Sequence, residues 1–184
     1  MATSTFEIAS VLEQAKDQLR VQLSDARVVT IRSILPSDLD ALRTFFTALS
    51  RATLLFRFHS SINELSEHLL RAFTMVNDRA HVALVAEIND STANQATRII
   101  AEARFVRSPA SETAEFALVV ADNWRRIGLG TILTRILASR ARFMGVRRLC
   151  GDVLAENQAM RGLANSLGAR LSLEAGTVRL SLEV

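Results

Sequence analysis

The chain has 184 residues, 49% of them hydrophobic and 22% charged, with seven Gly, two Pro, a single Cys and a formal net charge of +3. That length and apolar content fit one compact domain burying about two-thirds of its unfolded surface, and exclude collagen-like, low-complexity and disordered classes. Cys150 alone excludes a disulfide framework. No apolar run nears the ~18 residues of a membrane span, and the N-terminus lacks the basic and apolar segments of a signal peptide. A soluble, cytoplasmic protein without a membrane partner is expected.

Residues 7–24 place Ile8, Val11, Leu12, Ala15, Leu19 and Leu23 at helical spacing, which predicts an amphipathic helical extension over 1–26 ahead of a single domain at 27–184. Arg27 to Ile34 is rich in β-branched residues and reads as a strand. Pro36-Ser37-Asp38 opens a helix burying Leu39, Leu42, Phe45, Phe46 and Leu49. Helical stretches follow at 52–58 and 63–76, closed by Asn77-Asp78. His81 to Ile88, Arg98 to Arg107 and Ala114 to Ala121 read as an antiparallel meander, with turns at 89–94 and 108–113. Residues 126–143 carry the clearest helical pattern, stopped by Gly145. Val146 to Leu154 is a strand. Gln158 to Leu167 is a helix with Asn157 at its N-cap and Gly168 at its end, and 170–184 holds two short strands around Ala175-Gly176. The order implies a mixed α/β (α+β) domain.

Charge is unevenly distributed. Residues 1–92 carry 9 basic and 11 acidic side chains (−2), whereas 93–184 carry 13 and 8 (+5). An anionic ligand therefore belongs with the second half. There, Ala114 to Thr131 reads as a buried strand, a turn at Asp122 to Trp124, and a helix whose first turn is Arg125, Arg126, Ile127, Gly128, Leu129 and Gly130. A helix N-terminus already carries partial positive charge and unpaired amides, so two arginines there oppose stability unless an anion sits between them. The two glycines cost roughly 1 kcal/mol each in a helix and permit close approach of a phosphate ligand. Glycines that only aid packing, beside solvated arginines, explain less of the pattern. Neither a Walker loop nor a dinucleotide fingerprint fits, since Thr131, Ile132 and Leu133 occupy the wrong positions.

Arg125-x-x-Gly128-x-Gly130 resembles the (Arg/Gln)-x-x-Gly-x-(Gly/Ala) signature of the GNAT superfamily of acyl-CoA N-acyltransferases. The segment from Leu154 to Met160 also falls in that family's order, and upstream Arg32 to Asp38, Leu49-Ser50 and Phe56-Arg57-Phe58 are similar to the catalytic domain of Pat-type protein lysine acetyltransferases. The resemblance covers about 27 to 170. It implies a mostly antiparallel sheet splayed between the fourth and fifth strands. It also implies acetyl-CoA as donor, its pyrophosphate on Arg125, Arg126, Gly128, Leu129, Gly130 and Thr131. The pantetheine arm would lie along Leu118, Val119 and Val120, with Asn157 reaching the arm or the departing sulfur. Acceptors would be amines, either a protein lysine, such as one on an acyl-CoA synthetase, or a small molecule.

A lysine-like ammonium is almost fully protonated near pH 7, so acylation needs a general base. Glu115 occupies the position of the catalytic glutamate of Pat-type enzymes and is out of place in the run AEFALVV. Its alternative is a cross-hairpin pair with Arg104 or Arg107. Glu102 reads as an ion-pair member, Asp122 as a turn or cap residue, and Cys150 as core. The chain has no Tyr to protonate a leaving thiolate, and Ala169 replaces the family phenylalanine. His59, His68 and His81 show no ligand spacing, so no metal is expected. The acceptor, the length of the acyl group and the oligomeric state stay open, with the 7–24 segment and the last strands as surfaces for a homodimer. Two rival readings are a non-catalytic acyl-CoA sensor of the same fold and an RNA-directed protein. RNA-acetylating relatives rely on a C-terminal tyrosine, so a nucleic-acid partner is not expected.

Overall fold

A computed structural model describes residues 18–184, apart from 63, 77–79, 91–95, 109–110 and 175–176. In chain order the elements are β1 (Gln18–Gln22), β2 (Val28–Ser33), α1 (Leu39–Thr47), α2 (Arg51–Phe58), α3 (Glu67–Thr74), β3 (His81–Asp90), β4 (Ala96–Arg107) and β5 (Thr113–Val120). Then come α4 (Leu129–Phe143), β6 (Arg148–Val153), α5 (Gln158–Ser166), β7 (Arg170–Glu174) and β8 (Thr177–Glu183). Short 3-10 turns occupy Pro36–Asp38 and Asp122–Trp124.

The eight strands form one sheet in the order β1-β2-β3-β4-β5-β6-β8-β7. Adjacent strands run antiparallel except β5 and β6, which are parallel. Strand residues alternate between faces, and on β3 both sets are apolar. Val82, Leu84 and Ala86 join the core under α4, while Ala83 and Val85 join Leu42, Phe46 and Leu70 under α1–α3. Helices therefore cover both faces. Ser50 and Ser66 cap α2 and α3, their hydroxyls accepting from the amides of Thr53 and Leu69. Arg32 fastens α1 to the sheet, donating to both oxygens of Asp38 at 2.7 and 2.8 Å and to Glu87 at 2.6 Å. Hydrogen bonds from Asp38 and then Glu87, against the cost of burial, raise the pKa of Arg32 well above its ordinary value.

Three expectations need correction. Residues 1–17 of the expected N-terminal helix lie outside the described residues, but 18–22 are a strand, with Leu19 and Val21 opposite Ile31 and Val29 of β2. Leu19, Val21 and Leu23 alternate with polar residues and satisfy a two-residue period as well as a helical one. Pairing with β2 decides between them, because it satisfies a row of backbone groups. The second correction is at 126–143, where the helix begins only at Leu129. The third helical stretch is also trimmed, to 67–74. The turns at Asn77-Asp78 and Ala175-Gly176 lie outside the described residues.

Candidate active site

β5 and β6 pair only over Thr113–Arg148, Ala114–Leu149 and Glu115–Cys150. Beyond that they part, β5 staying paired with β4 and β6 with β8. These are the fourth and fifth strands of the sequence reading, renumbered because β1 precedes them. Gly151 sits where the strands separate, and a Cβ there would lie 2.8 Å from the carbonyl oxygen of Phe116. The separation leaves the β6-facing backbone of residues 116–120 without a strand partner. A cleft of about 670 Å³ opens at this point. Its walls are Leu118–Val120 of β5, the turn from Trp124 to Thr131, α5 with the preceding Glu156 and Asn157, and Thr53, Phe56 and Arg57 of α2.

The turn is a loop rather than the first turn of a helix. Arg125 is extended, Arg126 has φ 60°, and Gly128 has φ 88° at the N-cap of α4. Gly128 thus serves its left-handed backbone, since a Cβ there would touch nothing within 4 Å. No side chain caps α4, and the first helical bond runs from Ile132 N–H to Gly128 O at 3.1 Å. The amides of Leu129, Gly130 and Thr131 therefore point out of the helix end toward the cleft. Leu129 offers only its backbone, its side chain being buried in the core.

The two arginines are used differently. Arg126 is exposed and makes no ion pair or hydrogen bond with the described residues. Arg125 is engaged, donating to Val120 O at 3.2 Å and to Thr53 Oγ1, and pairing with Asp122 at 3.1 Å. Asp122 caps nothing in its own turn. It accepts from Thr53 Oγ1 at 2.8 Å, Ser50 Oγ at 3.1 Å and Ser50 N at 3.2 Å, clasping the start of α2. Burial would raise the Asp122 pKa, but the bonds from Thr53 and Ser50, together with the Arg125 charge, outweigh it and hold the carboxyl below its ordinary range. Asn157 caps α5 by accepting from Met160 N at 3.1 Å, which leaves its amide nitrogen for the cleft it lines.

Glu115 lies outside the cleft wall, exposed near the strand junction. Neither pair considered for it forms. Arg104 binds Glu102 and contacts His81 Nε2 at 3.0 Å, and Arg107 donates to Met144 O at 2.6 Å. The β4–β5 register sets Glu102 opposite Val119, Arg104 opposite Ala117 and Val106 opposite Glu115. Glu115 thus shares the sheet face that α1–α3 cover. Glu102 is fully buried between Arg104 and Arg57. Cys150 is buried, and His59 ends α2 with φ 55°, off the cleft wall. Sequence reasoning assigned no role to Thr53, Arg57, Glu156 or Gly151. A glycine inside a strand is the available signal for the last, and the Phe56-Arg57-Phe58 segment holds one for Arg57.

The model of the acetyltransferase (GNAT) family matches residues 46–169. The chain belongs to the GNAT family. It is 32% identical over 146 residues to Acetyltransferase PA5475 of Pseudomonas aeruginosa, covering 79% of this chain and 77% of that protein. It is also 32% identical over 150 residues to Acetyltransferase Pat of Mycolicibacterium smegmatis, covering 81% of this chain. The chain spans only 43% of that Pat. Among solved structures, the GNAT domain of S. lividans PAT superposes with a TM-score of 0.83 at 26% identity, covering 91% of this chain and 97% of that one. As a GNAT protein the chain is an acyltransferase, and its splayed sheet, signature turn and α4 follow the family order. Among the described residues no helix is long and apolar enough to cross a membrane, and no group of three metal-ligating side chains occurs.

Proposed function

We propose that this GNAT protein transfers an acetyl group from acetyl-CoA to an amine by direct attack within a ternary complex. The observation that carries the reading is the cleft between β5 and β6, which ends on the uncapped start of α4 beside Arg126, a cation with no partner among the described residues. These amides and Arg126 suit a diphosphate. The β6-facing edge of Leu118, Val119 and Val120, which has no strand partner, suits the amide-bearing pantetheine arm, and Asn157 faces it from α5. An N–H of that edge would donate to the thioester oxygen as negative charge develops, a contribution of a few kcal/mol to the barrier.

Glu115 is the base of this scheme. It takes the ammonium proton through water, the amine nitrogen bonds the carbonyl carbon, and the C–S bond breaks as the nitrogen gives its second proton to solvent. A thiol of pKa about 8.5 leaves readily as thiolate, and with no Tyr in the chain solvent returns its proton. Glu115 is exposed and free of ion pairs with the described residues, which supports this role, whereas Glu102 is sealed between two arginines. Thiol release from acetyl-CoA with a panel of amines tests the proposal. Wild-type protein should turn over, and Glu115→Gln should lose roughly a hundredfold or more in kcat while binding acetyl-CoA as before. Full activity in the variant overturns the base assignment. Binding without turnover in either protein returns the sensor reading.

A further inference from the structure

Arg57 belongs to the cleft wall, yet its side chain is only 10% exposed. Its Nη2 reaches Glu102 at 3.4 Å, a long contact. Its Nε is buried without an acceptor, and Nη1 donates to none of the described residues. A guanidinium carries five N–H donors, and leaving the buried Nε unanswered is costly. Arg104 beside it is fully used, by Glu102, by His81, by Phe73 O at 3.3 Å, and by the Phe73 ring 3.8 Å from its Cζ.

Glu102 is therefore spent mainly on Arg104, and two cations face one buried carboxylate. Burial pushes the Arg57 pKa below its ordinary value, against the pull of Glu102 and a weaker one from the exposed Glu115, and the Arg104 charge adds to the effect of burial. The rings of Phe58 and Phe73, 5.0 and 5.4 Å from its Cζ, flank the guanidinium. Arg57 stands seven residues along from Ser50, roughly 10 Å down α2 from the clasp at the diphosphate turn. It overlies the sheet face that carries Glu115. The excess charge thus lies on the acceptor side of the cleft, away from the phosphates.

We infer that Arg57 is a specificity-determining residue that receives a carboxylate borne by the amine acceptor. The inference rests on the transferase reading above and narrows its substrate class. Planar carboxylates match the guanidinium fork, and one on Arg57 supplies the negative charge that Glu102 leaves short. The carboxylate belongs either to an amino acid itself or to an acidic side chain beside a peptide lysine.

The test pairs acceptors on the intact chain: free amino acids against their amides, and lysine peptides flanked by Asp against the same peptides with Asn. Transfer is read by thiol release, and binding to the CoA-loaded protein by calorimetry. Carboxylate-bearing members of one series should be preferred roughly tenfold or more in kcat/KM, and in binding. Whichever series shows the preference identifies the source. In Arg57→Gln the preference should collapse toward unity, with Arg57→Lys intermediate, and thermal unfolding reports whether the variants fold. The wild-type comparison needs no variant. Equal transfer to both members of every pair overturns the inference and leaves the transferase reading standing. A carboxylate preference in binding without transfer does the reverse, and no preference in either readout without transfer ends both.

Discussion

At the signature turn, neighbouring guanidinium groups carry different loads. Arg125 is held by Val120 O, Thr53 and Asp122, and so belongs to the wall joining the turn to α2. Arg126 is exposed and answers no described residue. Arg126→Ala is therefore expected to raise the KM for acetyl-CoA roughly three- to tenfold with little change in kcat, an effect that shrinks as salt screens the exposed charge. Arg125→Ala should instead lower the unfolding temperature and weaken acceptor use. Steady-state kinetics at two ionic strengths, with a thermal melt, separates them, and identical behaviour would remove the division of labour. The pair and the glycines were legible because they sit within six residues of one another. What each arginine does was not. The partner of Arg125 on α2 is 72 residues away, and that of Arg57 on β4 is 45 away, distances at which no local pattern speaks.

Among the elements, the parting of β5 from β6 makes the cleft, and its geometry depends on Gly151. An added Cβ would meet a backbone carbonyl oxygen at 2.8 Å, which cannot swing aside as a side chain would. Gly151→Ala should therefore cost about 1–3 kcal/mol of stability and weaken acetyl-CoA binding by shifting the β5 edge. Denaturant unfolding and a binding titration would check both, and an unchanged midpoint with unchanged affinity would refute the wedge. The meander, α4 and α5 were readable because each has one dominant period. β1 was not, since Leu19, Val21 and Leu23 serve two periods and only the presence of β2 selects one. The early start assigned to α4 had a related cause. Apolar spacing continues through Ile127, but Arg126 and Gly128 take positive φ and cannot extend a helix.

In the whole molecule, two apolar cores lie on opposite faces of one sheet, and the cleft takes walls from elements on both. Asp122 links them, joining the turn before α4 to Ser50 and Thr53 of α2. Its folded pKa is depressed, so between that value and the ordinary aspartate value of 3.8 the unfolded chain binds more protons than the folded one. The clasp therefore contributes fully above about pH 5 and fades as pH falls through the depressed pKa. Asp25 and Glu67 are likewise depressed, through Arg27 and Arg71, so acid weakens the fold by more than one route and only a difference isolates Asp122. Asp122→Asn keeps the shape and removes the titration. The stability gap between wild type and this variant should be constant from about pH 7 to 5 and narrow as pH falls below the ordinary value of 3.8 toward the depressed one. Because the clasp also sets α2 against the cofactor turn, KM for the acceptor should rise in the variant at pH 7. A gap that does not begin to narrow as pH falls below the ordinary aspartate value would mean that Asp122 holds α2 by shape rather than by charge.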